Sequence, residues 1–444
     1  MSGYTPRLVE GACTRALKAG KILVITGARQ TGKSTLARHL VEELPKERTV
    51  AMNLDDPFLR DRLVSSEGAL IAEVERRASR PWRDIDDFYL VLDEVQKAPA
   101  LFESVKAIHD EFPGRVRFIL TGSSALLMHD PVAETLAGRA RIVHLHPFTL
   151  HEGFCHWQGE DPNRDVLAGT IARLLRGSFD KEDFQGLVER GRAHAGARKA
   201  WVTRHLLQPL FPEPCLEERP EEWLRDYLVT YLEKDVSSLG SVGNLDLFRS
   251  CVRAVAARLG STVKWEALAS DAGATAVTVK RYVGLLEQTF VALRLRPFTV
   301  NPLKRVVRAP KLYLADNGIA WGLRDFEDMA LLRASGMIGV YAEQLAAAEM
   351  FKWCALEPTA PVLRFWQKTK VSEVDMVISN RGYHIPVEIK VGEEFSTAWL
   401  RGLDAFCADH VNLKLRIPYR VVLHLGEPSL PDERTFVLPL WLLA

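Results

Sequence analysis

The sequence predicts an α/β protein in several parts: a parallel-sheet domain, a three-helix module, and a mixed α/β domain at the C-terminal end. Three observations predict it. Near residue 30 an apolar strand runs straight into a glycine-bounded loop and then a helix. A second apolar strand ends in Asp93-Glu94. Far downstream, a helix carrying Glu343 precedes strands carrying Asp375 and then Glu388-Ile389-Lys390. The 444 residues leave room for about three domains of ordinary size. With 47% hydrophobic and 26% charged residues, the composition is that of a globular protein. A net charge of +1 excludes a uniformly basic surface and leaves room for local basic patches.

No charged-then-apolar leader pattern stands at the N-terminus. No apolar run approaches the ~20 residues of a membrane-spanning helix. A cytoplasmic protein without a membrane partner is therefore expected. The cysteines (Cys13, Cys155, Cys215, Cys251, Cys354, Cys407) form no C-x-x-C pair, which predicts free thiols in a reducing compartment.

Residues 21–26, KILVIT, form a short β-branched run and predict a buried strand. Gly27-Ala28-Arg29-Gln30-Thr31-Gly32-Lys33-Ser34 follows at once, and Ser34 and Thr35 open a helix. Strand, glycine loop and helix in that order form the phosphate-binding loop of a P-loop NTPase. The glycines let the backbone wrap phosphates, and the N–H groups at the helix start form a positive cradle. Lys33 is expected to reach the β- and γ-phosphates of ATP, and Ser34 to hold Mg²⁺.

Residues 88–92 predict a second strand, and Asp93-Glu94 at its end make the Walker B pattern. Asp93 would join the Mg²⁺ shell, and Glu94 would orient or activate the attacking water. A third strand, 116–120, runs into Thr121-Gly122-Ser123-Ser124. A polar side chain at that tip would sense the γ-phosphate, and Thr121 and Ser123 are both candidates. Arg139 is a candidate finger that reaches the γ-phosphate of a neighbouring subunit, which requires a homo-oligomer, a ring or a dimer. The alternative for Arg139 is a surface arginine with a structural partner.

Taken together, GARQTGKST, LDEVQKAP (92–99), LTGSS (120–124) and LAGRARIVHLHPFTLHE (136–152) resemble a prokaryotic family of AAA+-type P-loop ATPases. That family is fused to a C-terminal PD-(D/E)XK nuclease-like domain of uncharacterised function. LFPEP (210–214), residues 224–235 and KLYLADN (311–317) extend the resemblance. It is weakest over 155–205, where the charged run from Arg190 to Lys199 reads as a solvated helix or loop. The resemblance implies an AAA+-like core over 1–153, a helical lid or linker over 154–240, a winged helix-turn-helix over 241–310 and a nuclease-like domain over 311–444.

The middle supports that division. Leu224, Tyr227, Leu228, Tyr231 and Leu232 recur at helical spacing. Residues 247–259, 263–271 and 275–288 then predict three helices, with Gly273 at a turn and Thr275 as a cap. In the third helix Val279, Tyr282, Val283 and Leu286 make the inner face, while Thr278, Arg281 and Gln288 point elsewhere. A strand over 290–295 follows as a wing would. The third helix is where such a module reads DNA; as a lid or protein contact it would serve equally. The basic run from Lys304 to Lys311 either tracks a phosphate backbone or is plain solvated surface.

In the last part, a helix over 339–353, strands over 363–367, 374–378 and 384–391, a helix over 397–408 and a strand over 420–424 follow the order of a restriction-endonuclease-like α/β core. Residues two apart on a strand face one side, so Glu388 and Lys390 point together, and Asp375 can meet them from the neighbouring strand. Asp375 and Glu388 are expected to hold one or two Mg²⁺ or Mn²⁺ ions, with Glu343 adding a ligand. Lys390 would stabilise the phosphate under attack or lower the pKa of the attacking water. The expected partner is nucleic acid, DNA more than RNA. The competing reading is a non-cleaving nucleotide switch whose nuclease-like domain only binds nucleic acid or a protein.

Overall fold

The computed structural model describes residues 4–66, 68–122, 135–230, 243–299, 309–325, 328–368, 372–413 and 415–444. Ser123, residues 231–235 and residues 304–308, singled out in the sequence, lie outside them. The chain divides into two compact units, residues 1–146 with 288–290, and residues 147–287 with 291–444.

In the first unit, β1 (Ile22–Thr26), β2 (Thr49–Asn53), β3 (Phe88–Asp93), β4 (Val116–Gly122) and β5 (Ala140–His144) form one sheet in the order β2-β3-β4-β1-β5. Every pairing is parallel. All five residues of β1 are buried, as befits a parallel strand covered on both faces. Ile22, Val24, Leu90, Leu92, Phe118 and Leu120 share one core with Leu101, Phe102 and Val105 of the helix Leu101–Glu111. Thr26 lies opposite Gly122 and His144, and Asn53 opposite Asp93. The carboxyl ends of the strands are thus level, and that edge is where open α/β sheets bind ligands.

The second unit holds a mixed sheet. Its strands are β6 (Ala292–Pro297), β7 (Lys311–Leu314), β8 (Val362–Gln367), β9 (Glu373–Asn380), β10 (Tyr383–Ile389), β11 (Arg420–His424), β12 (Ser429–Asp432) and β13 (Thr435–Pro439). Their order is β12-β13-β11-β10-β9-β8-β6-β7. Helices Leu245–Ala257, Trp265–Ala272 and Ala276–Gln288 precede β6. Val279, Tyr282, Val283 and Leu286 are buried, and the Thr275 hydroxyl accepts the N–H of Thr278 at 3.2 Å. β6 and β7 form an antiparallel hairpin, and β6 also pairs parallel with β8. The strand pair after the three helices is therefore part of the C-terminal sheet and crosses position 310.

The helix Ile338–Leu356 is buried nearly all round, the mark of a central helix rather than a surface one. Across the sheet, Leu403 and Phe406 of the helix Arg401–His410 pack with Val374, Val377, Val422 and Val437. β9 and β10 are joined by Arg381 and Gly382, both at positive φ, the two-residue turn that suits a tight hairpin.

The stretch 155–205 departs from its sequence reading. It contains helices Leu167–Arg176, Lys181–Arg192 and Ala195–His205, and its arginines are not uniformly solvated. Arg198 is buried with its guanidinium 4.5 Å from the Phe154 ring. Arg190 donates Nε to Asp165 at 2.7 Å. A buried arginine needs a carboxylate or a ring face, and both partners here are distant in sequence. All six cysteines are free. Among the described residues no helix is long and apolar enough to cross a membrane.

Candidate nucleotide site and C-terminal carboxylate cluster

Both sites grow from strand ends. In the first unit, Gly27 leaves β1 beside Leu145; a Cβ on Gly27 would stand 2.1 Å from the Leu145 carbonyl oxygen. Only glycine fits there, so the loop can turn tightly off the strand. Gln30 adopts φ 59° and Gly32, at φ 93°, precedes the helix Lys33–Glu42. Thr31 Oγ1 donates to the Ala28 carbonyl at 2.9 Å. Buried Arg7 donates to the Thr31 carbonyl at 3.0 Å and the His146 carbonyl at 2.8 Å, so one guanidinium clamps the loop from outside. Sequence reading missed Arg7, whose contacts lie 24 and 139 residues away.

Lys33 Nζ donates to the Ala28 carbonyl at 2.7 Å, folding the ammonium over its own loop. Ser34 Oγ donates to Asp93 Oδ1 at 2.9 Å. Thr121 Oγ1 also donates to Asp93 and accepts the Glu94 N–H at 3.3 Å. Glu94 holds φ 59°, ψ 41°, a left-handed conformation that costs a non-glycine residue about 1 kcal/mol or more. Gln96 Nε2 donates to the Glu94 carboxylate. Loop, Ser34, Asp93, Glu94 and Thr121 are thus brought to one edge, and a hydroxyl touching a carboxylate beside an N–H cradle fits a nucleotide with its Mg²⁺. Arg29 and Thr35 belong to the same loop and helix start, with Thr35 in the first turn. Arg139 stands apart: it forms a two-pronged ion pair with Asp110, at 2.6 and 2.7 Å, and that contact holds the Asp110 carboxyl down to about 2.

In the second unit, β9 carries one residue more than its partner β8 between the pairs Arg364↔Val377 and Trp366↔Val374. The resulting β-bulge falls at Asp375-Met376, and such bulges re-aim side chains. Asp375 Oδ2 accepts the Ile389 N–H at 2.8 Å, which ties it to β10 beside Glu388. Lys390 Nζ donates to Glu388 Oε1 at 2.5 Å. Gly402 lets the backbone close in: a Cβ there would stand 2.1 Å from the Glu373 carbonyl and 3.4 Å from Glu388 Oε2. Glu388 Oε2 is buried and has no hydrogen-bond partner. Burial, and then the charge of Asp375, push the Glu388 carboxyl up to about 8. Burial lowers the Lys390 ammonium, but Glu388 and Asp375 outweigh it and raise it on balance.

Glu343 is brought to the same cluster by the helix Ile338–Leu356 but meets other partners. Lys311 Nζ lies 3.1 Å from Glu343 Oε1, and the Tyr313 hydroxyl donates to that oxygen at 2.6 Å. Burial and then Asp375 raise the Glu343 carboxyl. Lys311 also reaches Glu373 and Asp375, at 2.5 and 3.8 Å. Lys311 is therefore not part of a solvated basic run, as its sequence neighbours suggested; it is 3% exposed. The usable signal was the alternation Lys311-Leu312-Tyr313, which places both polar side chains on one face of β7. Among the described residues no three His, Cys, Asp or Glu side chains are gathered closely enough to hold a metal ion by themselves. Asp375 and Glu388, one of them with an orphaned buried oxygen, fit a cation that draws its remaining ligands from water or a substrate phosphate, as Mg²⁺ commonly does.

The parallel sheet with its phosphate loop marks the first unit as a P-loop nucleotide-binding domain, and residues 19–154 match the AAA domain family, which supports an AAA-type ATPase. Residues 200–330 and 338–443 match two domains of unknown function, DUF8612 and DUF4143. The chain is 25% identical over 378 residues to an uncharacterized protein of Mycobacterium tuberculosis, covering 85% of this chain and 71% of the relative. It is 21% identical over 320 residues to one of Haemophilus influenzae, covering 67% and 68%. Solved structures with likeness to it include a RuvB variant of Thermotoga maritima, at 16% identity and TM-score 0.26 over 64% of this chain and 88% of that one. AMPPCP-bound DnaA of Aquifex aeolicus is at 17% identity and TM-score 0.27 over 65% and 89%.

Proposed function

We propose that this protein is a Mg²⁺-dependent ATPase whose nucleotide state controls a nuclease-like C-terminal half, and that this half binds nucleic acid, DNA more than RNA, and cleaves a phosphodiester bond. In this reading the protein works in the cytoplasm as a homo-oligomer. Residues 1–153 form the AAA+-like core, 154–240 a helical linker, and 241–310 a winged helix-turn-helix whose strand β6 joins the sheet of a restriction-endonuclease-like domain, 311–444.

At the first site, Lys33 leaves the Ala28 carbonyl for the β- and γ-phosphates, and Ser34 and Asp93 hold Mg²⁺. Glu94 accepts the proton of the attacking water at its carboxylate. Thr121, fixed between Asp93 and the Glu94 N–H, serves as the sensor. Arg139 acts as a finger only after releasing Asp110. At the second site, Asp375 and Glu388 hold the divalent ion, which when bound supplies positive charge to the attacking and leaving oxygens. Lys390 places its ammonium against the phosphate under attack. The exposed Lys280 and Arg281 of the third helix and Arg296 of the wing contact the phosphate backbone.

The observation that carries this reading is the convergence of Asp375, Glu388 and Lys390 on one half-buried cluster, with the buried Glu388 Oε2 unpartnered. Mg²⁺- or Mn²⁺-dependent cleavage of a panel of single- and double-stranded DNA and RNA tests it. Cleavage abolished by Asp375→Ala and Lys390→Ala supports the reading. A second reading, a non-cleaving nucleotide switch, is favoured by the ammonium of Lys311 among the carboxylates; it requires that those variants behave as wild type while Lys33→Ala loses function.

A further inference from the structure

Lys311 opens β7 and is almost wholly withdrawn from water. A buried ammonium is tolerated only where carboxylates compensate it. Here Glu343 and Glu373 touch Nζ at 3.1 and 2.5 Å, and Asp375 stands at 3.8 Å. The Tyr313 hydroxyl fixes the Glu343 carboxylate from the other side at 2.6 Å. Three carboxylates thus face one ammonium, which supplies the positive charge that balances them. Two cations cannot share that point.

The other side of Asp375 is different. Its Oδ2 is spent on the Ile389 N–H. Beyond it lies Glu388, whose Oε1 takes Lys390 and whose buried Oε2 takes nothing.

We propose that Lys311 is a tethered cation standing where a second metal ion would bind, so that this site takes a single divalent ion, at Asp375 and Glu388. The inference rests on the metal reading of the site given under the proposed function. In it Glu343, Glu373 and Tyr313 hold Lys311 and do not ligate metal. Lys311 is a positioning residue: it fixes Asp375 and leaves Glu388 Oε2 as the open ligand.

The test counts Mn²⁺ ions on the nucleotide-free full-length chain after chelator treatment, by electron paramagnetic resonance and calorimetry, with Asp375→Asn as the blank. Wild type above the blank should bind one ion, Lys311→Arg one, and Lys311→Met two. Two ions on wild type would overturn the inference whether or not Lys311→Met folds. A folded Lys311→Met, checked by circular dichroism, that still binds one ion would overturn it too. No ion on wild type above the blank would overturn the metal reading of the site itself, and the inference with it, which separates that failure from the other two.

Discussion

Replacing Lys33 by alanine tests how the phosphate loop works. Lys33 Nζ donates to the Ala28 carbonyl at 2.7 Å, so binding to phosphate exchanges that partner for others instead of creating a bond from nothing. Two charge-assisted bonds to phosphate oxygens contribute about 1.5–3 kcal/mol each. The bond to Ala28 that is given up contributes roughly 1.5 kcal/mol. The net loss in Lys33→Ala is then about 3 kcal/mol, or on the order of 100-fold in Kd. Titration of a fluorescent ATP analogue with Mg²⁺ measures this directly. Thermal stability provides a second readout, because a ligand at 100 times its Kd stabilises a protein by about 2.7 kcal/mol. At the same concentration a 100-fold weaker site gains only about 0.4 kcal/mol. A Kd within threefold of wild type, with stabilisation by ATP unchanged, would refute the account of Lys33.

Three further outcomes follow from individual contacts. Gly27→Ala should weaken ATP binding and destabilise the first unit by about 2 kcal/mol or more, because its Cβ meets backbone rather than a movable side chain; urea unfolding that matches wild type would contradict this. Buried Glu349 accepts the Leu150 N–H and the Trp353 indole N–H, and complete burial pushes its carboxyl up to about 7 from an ordinary 4.5. A raised folded-state value stabilises below pH 4.5 and is lost as pH rises through 7, about 3 kcal/mol in all, so Glu349→Gln should flatten the fall in stability between pH 5 and 8; an unchanged slope would count against it. Asp110→Asn frees the Arg139 guanidinium. If Arg139 is a finger, ATP hydrolysis should survive Asp110→Asn and fall at least tenfold in Arg139→Ala, whereas an arginine that only pairs with Asp110 makes the two variants equivalent.

The features legible in the sequence were the local ones. Residues 27–34 fix strand, loop and helix within one stretch, so Lys33, Ser34 and the burial of β1 could be read directly. Asp93 and Glu388 were visible as strand positions, and the third helix of the middle module showed its buried face by its period. What stayed hidden depends on distant pairing. Lys311 looked like the end of a basic run because its carboxylates lie 32 to 64 residues further on. Arg190 and Arg198 looked solvated because Asp165 and the Phe154 ring are brought to them only by packing. The bulge that turns Asp375 arises from a register mismatch with β8, and no period within one strand reveals a mismatch with another. Glu343 was found as a residue of the cluster, but its partners, Lys311 and Tyr313, belong to a strand whose pairing with β6 crosses the apparent domain boundary.

The central claim is that nucleotide state governs the C-terminal site. Its most direct test is Mn²⁺-dependent DNA cleavage by wild type and Lys33→Ala, each with and without ATP, with Asp375→Ala as the inactive control. The account predicts cleavage that ATP alters several-fold in wild type, that no longer responds to ATP in Lys33→Ala, and that is absent in Asp375→Ala. Cleavage unaffected by ATP in wild type, or no cleavage by any form, would contradict it.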